Sequence, residues 1–152
     1  MYIASDTLIN GNTYSVFKGS FFPFELSRID SMVFILRDSS GYLVNVEGKV
    51  QFTLQNFTDT LDSGVSFNGV DTIYTWYRKM DTNMHLINLG IGSFNSYDCP
   101  THYHLYIPSP MPNRVNHSFY SENVGIVLAT YGYASQPDEI EKRLINYHIN
   151  TP

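Results

Sequence analysis

An all-β fold, a single β-sandwich of jelly-roll type closed by a short C-terminal helix, is what residues 1–152 predict. Two observations predict it. Short apolar runs recur between clusters of Gly, Asn, Asp, Ser and Pro, the spacing of strands and turns. Within several runs apolar and polar residues alternate with the two-residue period of a strand that has one buried and one wet face.

The elements follow in chain order. Met32 to Arg37 is a nearly continuous apolar run, Ser39-Ser40-Gly41 is a turn, and Tyr42 to Val46 returns, which defines a hairpin. After Glu47-Gly48, Val50, Phe52 and Leu54 alternate with Gln51, Thr53 and Gln55. Residues 32–54 are therefore expected to form consecutive antiparallel strands with Phe34, Leu36, Phe52 and Leu54 in the core. Further strands are expected from Thr72 to Arg78, from His85 to Ile91 bounded by Gly90 and Gly92, from Tyr103 to Ile107, and from Val124 to Tyr131. Gly125 and Gly132 lie in or beside the last of these and mark a bulge or a close backbone approach.

Pro108-Ser109-Pro110-Met111-Pro112 predicts a stiff extended loop. Only the tail reads as helical. Ser135 can cap, Pro137 suits a first turn, Asp138 and Glu139 favour a helix N-terminus, and Ile140, Leu144 and Tyr147 share a face. With no internal repeat or linker, 152 residues make one domain.

Composition narrows the function classes. Charged residues make up 15% of the chain, well under the ~25% usual for soluble domains, while aromatics also reach 15%, with 12 Tyr and 10 Phe. Tyrosine pairs an apolar ring with a hydrogen-bonding tip, so such a chain suits contacts with proteins or carbohydrates. A net charge of −5 and only 9 scattered Lys and Arg leave no basic stripe to neutralise phosphates, so nucleic acid is not an expected partner. The single Cys99 excludes an intramolecular disulfide and reads as a small buried hydrophobe.

Met1 to Asn10 lacks the basic and apolar regions of a signal peptide, and no stretch approaches the ~18 apolar residues that span a bilayer. Neither export by that route nor membrane insertion is expected, and a cytoplasmic location is the default. Asn56-Phe57-Thr58 and Asn116-His117-Ser118 match the glycosylation sequon, and without a signal peptide they read as chance matches.

His102 and His104 fall at i and i+2, on one face of a strand, where they could share a metal. A cupin-like centre also needs a carboxylate a few residues on, yet Leu105, Tyr106, Ile107 and Pro108 follow; His85, His117 and Asp98 could join only through the fold. Asp59, Asp62, Asn68 and Asp71 suggest a Gly-containing loop with oxygen ligands for calcium, but their spacing matches no calcium loop and a solvated turn is the simpler reading. No serine sits in a Gly-x-Ser-x-Gly turn, and no Gly-rich phosphate cradle occurs. Cys99 and His102, three apart, would face opposite sides of a strand. No catalytic, metal or cofactor-binding residue is therefore assigned, and the chain is not expected to be an enzyme.

One stretch carries a family likeness: Phe21-Phe22-Pro23-Phe24-Glu25-Leu26-Ser27-Arg28-Ile29-Asp30-Ser31-Met32, then Leu36-Arg37-Asp38-Ser39-Ser40-Gly41-Tyr42-Leu43-Val44-Asn45, closing with Val50-Gln51-Phe52-Thr53-Leu54. Residues 21–54 resemble a segment of the minor capsid and penton-like structural proteins of polinton-like viruses. There an aromatic-Pro-Phe-x-Leu lead-in precedes a strand, an Asp-x-x-Gly turn, a returning strand and a closing Phe-Thr-Leu strand. The resemblance implies a minor capsid, penton-like or capsid-decorating subunit, homo-oligomeric, in contact with other capsid proteins and located in the virion. It carries no catalytic residue.

The alternative is a receptor- or carbohydrate-binding β-sandwich, for which Tyr74, Trp76 and Tyr77 are the natural contact residues. A cupin-like metal protein using His102 and His104 stands third. Low charge and abundant aromatics also predict surface covered by neighbours, with the tail helix and the 108–112 loop as expected contacts.

Overall fold

The computed structural model describes residues 2–21, 30–106, 115–122, 124–132 and 139–143. Among these, thirteen strands form two antiparallel sheets. The first sheet is a five-stranded meander of β1 (Tyr2–Ile9), β2 (Asn12–Phe21), β3 (Asp30–Ser39), β4 (Tyr42–Asn45) and β5 (Val50–Thr53). The second has eight strands: β6 (Thr60–Asn68), β7 (Asp71–Lys79), β8 (Met84–Leu89), β9 (Gly92–Asp98), β10 (Thr101–Leu105), β11 (Val115–Ser121), β12 (Gly125–Gly132) and β13 (Glu139–Arg143). Its order is β6-β7-β10-β11-β12-β13, and the β8–β9 hairpin joins it through β11.

The sandwich is the predicted fold; its connection is not that of a jelly roll. A jelly roll passes repeatedly between sheets, whereas here the chain completes one sheet and crosses over once, between β5 and β6. Local turn chemistry explains the meander. Ser40 and Gly41 both take positive φ, 56° and 84°, as a two-residue type I′ turn requires, and the Asp38 carboxylate accepts the Gly41 amide proton. Asn10-Gly11, at 50° and 79°, does the same between β1 and β2.

The two sheets meet through residues on facing sides. The Phe52 ring of β5 stacks on Tyr120 of β11, with centroids 4.2 Å apart, and Met80 and Cys99 complete a buried cluster. Leu43, Phe57, Leu61, Tyr97 and Ile126 pack around it. Phe17 of β2 comes within van der Waals reach of Gly125 of β12, whose φ of 94° favours glycine. A second cluster, Phe94 and Val127 with Ile87, Leu89 and Phe119, holds the β8–β9 hairpin to β12.

Of the four core residues expected in 32–54, Leu36 and Phe52 are buried and Phe34 is half-buried. Leu54 is exposed, which corrects the reading of its alternation. β5 ends at Thr53, whose fully buried hydroxyl donates to the Gly41 carbonyl and accepts the Gln55 amide proton. That hydroxyl turns the chain one residue before the apolar pattern stops.

A strand, not a helix, occupies Glu139–Arg143, running from Gly132↔Glu139 to Leu128↔Arg143. Tertiary pairing supplies β13 with the backbone hydrogen bonds that a short isolated helix would have to make alone. The rest of the expected helix, Ser135 to Asp138 and Leu144 to Tyr147, and the 108–112 loop lie outside the described residues. The expected acidic loop is also corrected: Asp62 and Asn68 stand on β6, Asp71 opens β7, and Asn68↔Asp71 close a hairpin. Asp59 precedes β6 and accepts a hydrogen bond from the Asn56 side chain.

Candidate functional site

Register places four histidines on one face of the eight-stranded sheet. His102 pairs with Val115, so His104 on β10 and His117 and Phe119 on β11 share its side. Phe119 pairs with Asp98 and His85 with Ser96, which brings β9 and β8 residues onto the same face. It is the side turned away from the five-stranded sheet, because Tyr120 and Arg78, which alternate with Phe119 and Tyr77, reach β5 instead.

Each histidine has a partner. His102 stacks on Tyr77 at 4.8 Å and His104 meets the edge of Tyr106 at 4.7 Å. His117 stacks on Phe119 and donates its Nδ1 proton to the buried carboxylate of Asp98 at 2.5 Å, while Asp98 also accepts the Ser118 amide proton. His85 meets Phe119 in a T-shaped contact and bonds Asp81 at 3.3 Å. The Asn83 amide on its carboxylate holds Asp81 below its ordinary pKa, and His85 adds to that. Among the described residues no three of His, Cys, Asp and Glu converge as metal ligands. The metal-protein alternative therefore finds no third ligand for His102 and His104 in that part of the chain.

Beside the histidines the face becomes apolar. Along β6, Ser63, Val65 and Phe67 are exposed while Gly64 and Ser66 are half-buried. Val65 pairs with Thr75, which pairs with His104, and Ser63 pairs with Tyr77, which pairs with His102. Tyr106 continues the row, its amide bonded to the Ile73 carbonyl. Val65, Phe67, Tyr77 and Tyr106 retain 51, 60, 46 and 56% of their exposure.

Of the three aromatic residues expected at a binding surface, only Tyr77 belongs to this face. Trp76 alternates to the inner side, where its ring covers Gly64, its cross-strand neighbour, so closely that a Cβ there would fall within 2.6 Å of the indole nitrogen. Tyr74 meets the edge of Tyr103, whose hydroxyl accepts from the Asn116 amide. The Asn116 side chain also accepts the Gly132 amide proton, so the second sequon is built into the sheet. Sequence reading missed Val65 and Phe67 because β6 looks like a loop, and it left the joining of His117 to Asp98 to the fold because β11 was not recognised. The alternation of Ser63, Val65 and Phe67 was the available signal.

Beneath the face, on the inner side, Cys99 and Arg78 occupy the sheet interface. Cys99 donates its thiol to the Gln51 carbonyl at 3.8 Å, on the opposite side of the sheet from His102, so the two do not pair. Burial pushes the thiol from its ordinary 9.0 up to about 11, and burial likewise raises the Tyr120 phenol. In the unfolded chain both groups ionise near their ordinary values, so above pH 9 the unfolded state binds fewer protons than the folded one. By linkage, the stability these groups contribute is complete below pH 9 and declines as pH rises through 11. Denaturant titrations across that range should show a falling midpoint. A thiol reagent at mildly alkaline pH should label Cys99 only after unfolding, and rapid labelling of the native chain would contradict the burial described.

The fold and face define an antiparallel β-sandwich with an aromatic, histidine-bearing outer surface. No protein-family model matches the chain, and no curated protein or solved structure does so either.

Proposed function

We propose that this chain is a structural subunit of capsid type, which works through protein contacts and catalyses no reaction. The observation that carries the contact-making part is the outer face of β6, β7 and β10. There Val65, Phe67, Tyr77 and Tyr106 stand exposed side by side, and surface of this kind marks an interaction site. Half-exposed aromatic rings contribute large contact area with little entropy to lose. The capsid-type part rests on the resemblance of residues 21–54 to polinton-like virus minor capsid and penton-like proteins. In this reading the partners are further copies of the chain and other capsid proteins, and the location is the virion.

Sedimentation of the purified chain at micromolar concentration, alone and after co-expression with neighbouring structural proteins, tests this. Association is expected, weakened by Phe67→Lys on the exposed face. A strictly monomeric chain with no affinity for any co-expressed structural protein would sink the proposal.

Two exposed phenol rings, Tyr77 and Tyr106, each set against a histidine, favour a glycan-binding surface as the second reading. Glycan-array binding that Tyr77→Ala abolishes would establish it. Trp76→Ala is the wrong test, because that ring packs on Gly64 and its loss would disturb the sheet.

A further inference from the structure

Each sheet edge exposes unpaired backbone N–H and C=O groups, and proteins ordinarily protect such edges with charges, bulges, prolines or short strands. Among the described residues, four of the five sheet edges carry such a device. β13 reads Glu-Ile-Glu-Lys-Arg. β1 is bulged between Ile3 and Ser5 and carries Asp6. β6 has two register shifts and Asp62. β5 is only 4 residues long.

β8 has none of these. Its sequence, Met84-His85-Leu86-Ile87-Asn88-Leu89, contains no Asp, Glu, Lys, Arg, Pro or Gly, and it pairs with β9 in unbroken register from Met84↔Tyr97 to Leu89↔Gly92. Among the described residues β9 is its only strand neighbour. Ile87 and Leu89 turn into the cluster around Phe94 and Val127, and His85 turns toward Phe119 and Asp81. Met84 and Leu86 point the other way and remain 58 and 62% exposed.

We propose that β8 is a strand-addition edge whose occupant is the β8 of a second copy, paired antiparallel across a two-fold axis. Self-complementarity selects that occupant. An antiparallel edge presents to its own two-fold copy the alternating donors and acceptors that it needs. With no formally charged side chain on β8, self-pairing brings no like charges together despite the net charge of −5 on each copy. A β13 pair centred on its middle residue sets Glu141 against Glu141 although Glu139 meets Arg143, and the register shifts of β6 and β1 interrupt a straight ladder. Pairing through β8 continues one eight-stranded sheet into another and brings the exposed Met84 and Leu86 of both copies onto a common surface. The inference rests on the reading that the chain works by assembly, and it names the partner and the seam.

The test compares the full chain with Leu86→Lys, Met84→Lys and, on β1 of the five-stranded sheet, the exposed Leu8→Lys by sedimentation velocity over a micromolar concentration series. Backbone amide exchange of residues 84–89 is followed at the low and high ends of the series. All three substitutions fall at exposed positions, so an unchanged thermal transition checks that each variant folds. The expected result is a dimer lost in Leu86→Lys and Met84→Lys but kept in Leu8→Lys, with amides of 84–89 slowing as the unmodified chain is concentrated. Association that survives both β8 substitutions, without concentration-dependent protection of 84–89, overturns the β8 seam and leaves the assembly reading standing. A monomeric unmodified chain that still joins co-expressed structural proteins also overturns the seam alone, and one that joins nothing overturns both.

Discussion

Phe52→Ala is expected to lower unfolding stability by about 3–5 kcal/mol, a large share of the ~5–15 kcal/mol that holds a domain of this kind together. Phe52 stacks on Tyr120 across the sheet interface and closes a cluster with Met80 and Cys99, all at most 6% exposed. Truncation leaves a cavity between two sheets whose backbones are held by their own ladders, so the walls can collapse only in part. The denaturant midpoint should fall with little change in slope, or the chain should fail to accumulate in soluble form. Leu54→Ala, two residues on, provides the contrast: its side chain is exposed, and the expected change stays within about 0.5 kcal/mol. Equal losses at the two positions would contradict the burial pattern.

Arg78→Ala should also be damaging, at about 2–3 kcal/mol, because it removes a charged donor from two acceptors on the other sheet. The Arg78 guanidinium crosses from β7 to the other sheet, donating to the Val50 carbonyl at 2.8 Å and to the Gln51 side-chain oxygen at 3.2 Å. Asp62, equally enclosed, lies 4.0 Å away. Loss of the guanidinium strands the Val50 carbonyl and leaves the Asp62 carboxylate without its counter-charge. Arg78→Lys should recover little, since a single ammonium cannot reproduce the fork that reaches two acceptors. Removing the Asp62 charge as well, in Arg78→Met with Asp62→Asn, should recover part of the loss. Thermal unfolding of the three variants provides the measurement, and an Arg78→Ala protein as stable as the parent would show that this tie between the sheets is dispensable.

Much of the fold was legible along the chain. Met32 to Val46 reads as a hairpin because the apolar runs flank a turn whose last residue is glycine, and positive φ at Ser40 and Gly41 is what that turn requires. The strands around Trp76, Leu86, Tyr103 and Val127 were also visible from their β-branched and aromatic content. Asn10-Gly11 is as strong a hairpin signal and marks β1 and β2, which were not expected. The recurrence of short, partly alternating apolar runs between turn residues correctly indicated an all-β sandwich, since it depends on local preference.

What required the tertiary structure was everything carried by pairing. Thr60–Asn68, rich in Asp, Ser, Gly and Asn, has weak strand preference, and the β7 backbone beside it, with the Trp76 ring over Gly64, outweighs that preference. Glu139–Arg143 has a helical pattern and becomes a strand because β12 offers it a ladder. The functional face depends on the same long-range register: His85, His102, His104 and His117 come from three strands, and only the order β8-β9-β11-β10 sets them on one side. A residue's own neighbours in sequence determine whether it alternates in or out. Which sheet lies on either side, and hence which half of the alternation is buried, is decided by strands far away along the chain.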